Sequence, residues 1–168
     1  LKRIERLIQS MLKITRIDAG SISFEKSNYS IPNILNHAIS ELTTRATNEK
    51  KEIVIGGDLN QMLYCDIEWM SEAIGNIIKN ALDHTDAGGK ITISWKQTPT
   101  MIRIFITDNG HGIAPEDIHH IFKRFYRSKN TSDSQGIGLG LPLAKAIVEE
   151  QGGILSVQSE RLQGTTFT

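Results

Sequence analysis

Apolar and polar positions recur along the chain at two spacings, which divide it into predicted helices and strands. In the most regular helical stretch, residues 72–85, an apolar stripe is formed by Ile74, Ile77, Ile78, Ala81 and Leu82. A second face presents polar side chains at every fourth position, namely Glu72, Asn76, Asn80 and His84. Since a helical turn takes about 3.6 residues, each set shares one side. The pattern therefore predicts a helix with one face in the core and an adjoining face for polar ligands.

The same patterns predict the other elements. Helices are expected over residues 1–18, 32–48 and 139–150, with a short one from Pro115. Asp66 is the expected N-cap of the long helix. Strands are expected over residues 21–30, 52–55, 62–65, 90–97, 101–107, 154–159 and 165–168. Because strands and helices are mixed without strict alternation, an α+β sandwich is favoured over a doubly wound sheet.

The composition narrows the class of protein. The 168 residues include 39% apolar residues and have a mean hydropathy of −0.24, which fits one globular domain with an appended segment. Its 19 basic and 19 acidic residues give no support for a nucleic-acid or membrane surface. The single cysteine, Cys65, excludes an internal disulfide and a cysteine-based metal cluster, and is expected to be a buried thiol.

Two glycine-rich segments complete the candidate chemistry. The first is Asp108-Asn109-Gly110-His111-Gly112-Ile113, and the second is Gly136-Ile137-Gly138-Leu139-Gly140-Leu141. The second opens a helix, whose N-terminal amides suit phosphate. It lacks the Gly-Lys-Ser/Thr of a P-loop, and its alternating glycines do not match the dinucleotide fingerprint.

Four segments in this order resemble the catalytic ATP-binding domain of sensor histidine kinases, a member of the gyrase, chaperone and histidine-kinase ATPase superfamily. They match the N box, first glycine box, F box and second glycine box, at residues 76–85, 108–113, 122–127 and 136–141. The resemblance implies a two-layer sandwich with helices on one face of a mixed sheet. It also implies ATP and Mg²⁺ as ligands.

By this resemblance, Asn80 holds the Mg²⁺ and Asp108 accepts a hydrogen bond from the adenine amine. Asn76 occupies the position of a glutamate that activates water in gyrase-type and chaperone-type relatives, so phosphoryl transfer is expected instead of hydrolysis. Outside this context, Asn80 would be an ordinary helix-face side chain and Asp108 a turn former. The remaining nucleotide contacts are expected from Gly110, Gly112, Ile113, Tyr126, Arg127, Gly136, Gly138, Leu139, Gly140, Leu141 and Thr165.

One position departs from the family pattern, because Asp83 stands where many members have lysine. A carboxylate near phosphate repels it unless it points away or helps to hold the metal. Charge neutralisation is therefore expected from Arg124 and Arg127, with Lys129 as a further candidate, and His84 is expected to flank the nucleotide. A solvated basic loop is the alternative. We also expect residues 123–135 to be poorly ordered without nucleotide.

The first predicted helix has an apolar stripe at Leu1, Ile4, Ile8 and Met11, and Gly20 is its expected stop. The resemblance implies that residues 1–20 end the second helix of a dimerisation hairpin and that residues 21–168 form the catalytic domain. The alternative is a helix that packs only on its own domain.

None of the five histidines is followed by an acidic residue, as the family's phosphoacceptor is. We therefore expect the acceptor outside this chain, which begins at Leu1 and reads as an excised fragment. The implied parent is a homodimeric, membrane-anchored bacterial sensor that holds this domain in the cytoplasm and phosphorylates a response regulator. Two rivals are an ATP-hydrolysing clamp and a non-catalytic nucleotide-sensing module.

Overall fold

A computed structural model describes residues 2–128 and 136–168. The helices of this part of the chain are α1 Lys2–Asp18, α2 Ile31–Asn48, α3 Ile67–Asp83, α4 Pro115–Ile118 and α5 Gly140–Glu150. Its strands are β1 Ser27–Ser30, β2 Glu52–Gly56, β3 Met62–Cys65, β4 Lys90–Gln97, β5 Ile102–Asp108, β6 Val157–Glu160 and β7 Gly164–Phe167.

Five strands form one mixed sheet in the order β2-β4-β5-β7-β6, and β1 pairs with β3 in a separate antiparallel sheet. Strands β2 and β4 are parallel, and the other neighbours are antiparallel. Along β4 the side chains of Ile91, Ile93 and Trp95 are buried, whereas the alternate residues Thr92 and Ser94 are partly exposed. Helices therefore cover one face of the sheet, and the predicted α+β sandwich is confirmed.

Helix α3 lies at the centre of the core, where it packs against α2 and α5. Its predicted apolar stripe is confirmed, because all five of its side chains are buried. Burying each of the larger ones contributes about 1.5–3 kcal/mol to stability. The predicted cap is also confirmed: Asp66 Oδ1 accepts a hydrogen bond from the backbone N–H of Trp69 at 3.2 Å. The adjoining polar face of α3 is not taken up by this core, so its side chains can contribute to a functional site.

The strand predicted over residues 21–30 is wrong for its first part, since pairing begins only at Ser27. Before that point the backbone N–H of Glu25 donates to the side chain of Asp66, so this segment is held by a side chain and not by a ladder. Strand β6 likewise begins at Val157, three residues later than Ile154, which is exposed. The prediction of a buried Cys65 is confirmed, and burial raises the pKa of its thiol to about 11.

Helix α1 has two apolar faces. Ile14 and Ile17 are buried, and the helix packs against α5. The opposite side exposes Ile4, Ile8, Met11 and Leu12 by 40–64%. The helix ends at Asp18, and Gly20 is the stop that the sequence predicted, with a φ of 59°. There Ser21 N–H donates to Arg16 O and Gly20 N–H to Ile17 O. That residues 1–20 belong to a dimerisation hairpin stays a prediction.

In the part of the chain that the structure describes, no helix is long and apolar enough to cross a lipid bilayer.

Candidate functional site

Two adjoining cavities open along the polar face of α3. The helix-side cavity, about 330 Å³, lies between α1, α3 and the second glycine segment. The sheet-side cavity, about 320 Å³, reaches the first glycine segment and β7. Because both are bounded by Asn80, Asp83 and Tyr126, they form two compartments of one cleft.

The cleft gathers most of the residues that the sequence singled out. The helix-side lining includes Asn76, Asn80, Asp83, Tyr126, Gly136, Gly138, Leu139, Gly140 and Leu141. The sheet-side lining adds His84, Gly112, Ile113, Arg127 and Thr165. Among the described residues proposed for the site, Asp108, Gly110 and Arg124 belong to neither lining. Lys129 lies outside the described residues, as does the 129–135 part of the loop predicted to order with nucleotide.

The second glycine segment meets α3 and the F-box segment closely. A Cβ at Gly140 would lie 3.3 Å from Asn76 Oδ1. Gly138 has a φ of 76°, and a Cβ there would lie 2.7 Å from the carbonyl oxygen of Tyr126. The backbone N–H of Phe125 donates to the carbonyl of Gly138 at 2.8 Å. Position 138 therefore requires glycine, both because of its positive φ and because a Cβ would clash with the Tyr126 carbonyl. The close approach of Gly138 to residues 125–126 closes the cleft on this side.

The first glycine segment is held against the end of α3. A Cβ at Gly110 would lie 2.1 Å from the His84 carbonyl oxygen, which accepts the backbone N–H of His111 at 3.1 Å. The absence of a side chain at Gly110 therefore lets this loop and the helix end form one edge of the sheet-side cavity.

Asp108 lies at the end of β5 and is 4% exposed. Its Oδ1 accepts the N–H of Gly110 at 2.9 Å, and it is the register partner of Thr165 on β7, which lines the cavity. Burial raises the pKa of this carboxyl, while hydrogen bonds from the backbone of Gly110 and Thr165 oppose the shift. A buried carboxylate thus lies on the strand next to Thr165, which lines the cavity.

His84 follows the last residue of α3 and lines the sheet-side cavity. Burial lowers the pKa of its imidazole, and the neighbouring Asp83 opposes the shift. The neutral ring is therefore favoured, which suits an aromatic contact with a base more than a contact with phosphate.

Both carboxylates of the helix-side lining are ion-paired. Lys13 Nζ contacts the two oxygens of Glu72 at 2.7 Å each, and Arg45 contacts Asp83 Oδ1 at 2.6 Å. Glu72 is therefore held by a cation from α1, and Asp83 by a cation from α2. The contact of Asp83 with Arg45 is not visible in the sequence, where the two residues are 38 positions apart.

The F-box arginines are placed differently. Arg127 lines the sheet-side cavity, whereas Arg124 contacts Asp18 Oδ2 of α1 at 2.5 Å. The hydroxyl of Tyr126 donates to Asp117, which holds the tyrosine between the two cavities. The structure thus places Arg127 and Tyr126 at the cleft and Arg124 at the contact between the F-box segment and α1.

Sequence reasoning missed several lining residues. Lys79 lies three positions after Asn76 on the same helix face, so its spacing could have revealed it. Others come from elements whose docking no motif indicates, among them Arg6, Gln9, Ser10 and Lys13 of α1 and Arg161 between β6 and β7.

The oxygen atoms available in the cleft fit a Mg²⁺ ion that takes most of its ligands from a bound substrate and from water. Among residues 2–128 and 136–168, no three His, Cys, Asp or Glu side chains are grouped as a metal site. Asn80 borders both cavities, and its amide oxygen is of the hard kind that Mg²⁺ prefers. Mg²⁺ commonly takes its other ligands from phosphates and water, so one protein oxygen is sufficient here.

Comparisons with known proteins agree with this geometry. Residues 65–168 match the family model described as "Histidine kinase-, DNA gyrase B-, and HSP90-like ATPase". The Sensor protein SrrB of Staphylococcus aureus is 33% identical over 99% of this chain, which spans 29% of that protein's length.

Two solved structures share the fold. Histidine kinase AdeS of Acinetobacter baumannii superposes with a TM-score of 0.81 at 20% identity, over 97% of this chain and 75% of that one. Full-length ShkA in complex with AMPPNP superposes with a TM-score of 0.84 at 24% identity, over 96% of this chain and 34% of that one. The chain therefore belongs to the histidine kinase-, DNA gyrase B- and HSP90-like ATPase family, as a domain of the sensor histidine kinase type.

Proposed function

We propose that this chain binds Mg²⁺–ATP and transfers the γ-phosphate to a histidine on a dimerisation domain, for relay to a response-regulator aspartate. The observation that carries the proposal is the single cleft in which Asn76 and Asn80 face the second glycine segment. The AMPPNP complex of ShkA, which shares the fold, supports an adenine nucleotide as the ligand.

The two compartments differ in a way that suits the two ends of ATP. The sheet-side cavity is bordered by Thr165, Ile113 and the weakly basic His84, and Asp108 lies beside Thr165 on the neighbouring strand. We assign the adenine to this compartment, with Asp108 as the acceptor for its exocyclic amine. Guanine presents an oxygen at that place, so a carboxylate there disfavours guanine.

The helix-side cavity suits the phosphates. Helix α5 begins at Gly140 and is preceded by Gly136 and Gly138, and its N-terminal amides offer unpaired donors to anions. Lys79 lies in the same lining and adds positive charge, and Arg127 lines the sheet-side cavity. Asn80 would hold Mg²⁺, which neutralises phosphate charge when bound. Positioning and charge neutralisation are the main contributions that a protein makes to phosphoryl transfer.

Transfer is favoured over hydrolysis by two features of α3. The amide of Asn76 cannot accept a proton at neutral pH, so it cannot activate water as a glutamate does. Glu72, the nearest alternative base on this face, is held by Lys13 at both oxygens. This arrangement argues against the ATP-hydrolysing clamp. We further propose that the parent protein is a homodimeric bacterial sensor with this domain in the cytoplasm.

The test is incubation with Mg²⁺ and γ-labelled ATP, with and without the parent protein's hairpin that contains the acceptor histidine. The chain alone is expected to bind nucleotide without labelling itself, and added hairpin is expected to become labelled slowly, because two free pieces lack the effective concentration of a tethered pair. Asn80→Ala should abolish transfer, while Asn60→Ala, in an exposed turn, should not.

Three outcomes would contradict the proposal. Rapid phosphate release by the chain alone, lost in Glu72→Gln, would support the hydrolysing clamp. Binding without any transfer to the hairpin would support a nucleotide-sensing module. A chain that binds no adenine nucleotide would exclude both activities.

A further inference from the structure

We propose that Arg45 is a positioning residue for the phosphate end of the cleft: its ion pair with Asp83 neutralises a carboxylate that would otherwise repel the triphosphate. The inference rests on the proposed function and extends it to a residue of α2 that lines neither cavity.

The contacts of Arg45 form a continuous chain of charges. Its guanidinium contacts Asp83 Oδ1 and Glu49 Oε1 at 2.6 Å each. Lys51 Nζ contacts the second oxygen of Glu49 at 2.6 Å and donates to the carbonyl of Leu82 at 2.8 Å. The network has two cations and two anions, and it both begins and ends on the last turn of α3.

This network is built into the fold. The side chains of Arg45 and Asp83 are 31% and 21% exposed, and that of Lys51 is 10% exposed. Hydrogen bonds from Lys51 and Arg45 hold the pKa of Glu49 below its usual range. Lys51 also places its charge beside a carbonyl at the C-terminal end of α3, where the helix dipole favours a cation. Arg45, Glu49 and Lys51 therefore each make two contacts, which limits the rotation of Arg45 away from Asp83.

Asp83 needs this neutralisation because of where it lies. It lines both compartments and is three residues after Asn80, the proposed metal ligand. The other carboxylate of the helix-side lining, Glu72, is also paired, in its case with Lys13. Since each acid at this wall has its own base, an entering triphosphate meets no uncompensated carboxylate there.

The experiment measures binding of adenosine, ADP with Mg²⁺ and AMPPNP with Mg²⁺ by titration calorimetry. Arg45→Ala should weaken AMPPNP about tenfold, the effect of one partly screened charge, with a smaller loss for ADP and none for adenosine. Asp83→Asn in the Arg45→Ala background should restore AMPPNP affinity to within about twofold of the parent chain, because the repelling charge is gone.

Matched controls separate charge from folding. Arg103→Ala removes one exposed arginine from β5 and should leave all three affinities unchanged. Arg45→Gln keeps most of the side-chain volume, and it serves as the second variant if Arg45→Ala does not fold.

The remaining outcomes overturn the inference. Equal losses for adenosine, ADP and AMPPNP would mean that Arg45 only supports the fold, as would failure of Asp83→Asn to rescue. If Asp83→Asn alone weakens AMPPNP in the presence of Mg²⁺ but not in its absence, Asp83 holds the metal instead. A parent chain that binds none of the nucleotides would overturn the proposed function itself and this inference with it.

Discussion

Asp108 combines burial with a structural hydrogen bond, and both bear on its proposed contact with adenine. Its Oδ1 is occupied by the N–H of Gly110, so the carboxylate has a fixed orientation. Its pKa is raised by burial. The charged form is therefore less favoured than for an exposed aspartate, and a base that donates to it compensates part of that penalty.

We predict that Asp108→Asn weakens ATP and ADP by the same amount, because the contact is made to the base. The loss of one charge-assisted hydrogen bond corresponds to about 1.5–3 kcal/mol. Calorimetric titration of both nucleotides measures it, with Glu52→Gln on the edge strand β2 as the control. Unchanged ADP affinity in Asp108→Asn would refute the assignment.

Asp108 should also make the affinity for ADP depend on pH. The carboxylate is the form that accepts the adenine amine, and its folded-state pKa is raised. As the pH falls through this raised pKa, protonation removes the acceptor, so ADP affinity should decline at a higher pH than an ordinary aspartate would give. In Asp108→Asn this part of the pH profile should be flat. Parallel profiles in the two proteins would show that another group is responsible.

At this scale, sequence reasoning finds residues that belong to motifs and misses their partners. Asn76 and Asn80 could be placed on one face from spacing alone, and the structure puts both in the cleft. The pairing of Asp83 with Arg45 could not, because it depends on how α2 packs against α3. Arg124 was expected near phosphate, but the structure places it on Asp18, a contact that depends on the docking of α1.

The N-terminal end of helix α3 is fixed by the hydrogen bonds of its N-cap, Asp66. Asp66 accepts the N–H groups of Trp69 and Glu25 on its two oxygens, and its own N–H donates to Gln151. One buried side chain thus caps α3 and also ties down the segment before β1. The cap of α2 is simpler: Ser30 Oγ accepts the N–H of Asn33, at 3.4 Å.

We predict that Asp66→Ala lowers the free energy of unfolding by about 2–3 kcal/mol, since two backbone donors, the N–H groups of Glu25 and Trp69, lose their acceptor. Ser30→Ala is the matched cap variant and should lower it by only about 0.5–1 kcal/mol. Urea denaturation of both variants and the parent chain gives the comparison. Equal effects would mean that the contact with Glu25 contributes nothing.

Elements with a regular spacing of apolar residues could be predicted from the sequence. Segments held in place by side-chain contacts could not. The apolar stripe of α3 gave its buried face correctly because helical period and burial coincide. The loose alternation of Ile22 and Phe24 suggested a strand, but Phe24 instead packs edge-on against Trp69, with ring centroids 5.7 Å apart. Such a segment has the apolar spacing of a strand but no neighbouring strand to pair with. Spacing alone does not distinguish it from a paired strand.

For the molecule as a whole, the element that decides how far the folded body extends is α1, which packs against α5. Its docked face buries Ile14 and Ile17, and ion pairs at Lys13 and Asp18 connect it to α3 and to the F-box segment. Its other face exposes Ile4, Ile8 and Met11 of the stripe that the resemblance assigns to a dimerisation hairpin. This arrangement agrees with a helix that contacts its own domain on one side and a hairpin partner on the other.

We predict that Ile17→Ala lowers the free energy of unfolding by about 2–4 kcal/mol, as expected for a buried large-to-small change. Ile8→Ala, on the exposed face of the same helix, should change it by less than about 0.5 kcal/mol. Chemical denaturation of the two variants provides the test. Similar small effects would show that α1 does not stabilise the catalytic domain.

The position of α1 also has a thermodynamic consequence. Residues 6, 9, 10 and 13 of this helix form one wall of the helix-side cavity. A nucleotide that binds more tightly when the wall is present must favour the docked helix, and docking must raise nucleotide affinity by the same factor. A tenfold preference corresponds to about 1.4 kcal/mol in each direction. With such a preference, a force that undocks α1 would lower nucleotide occupancy without a separate relay through the core.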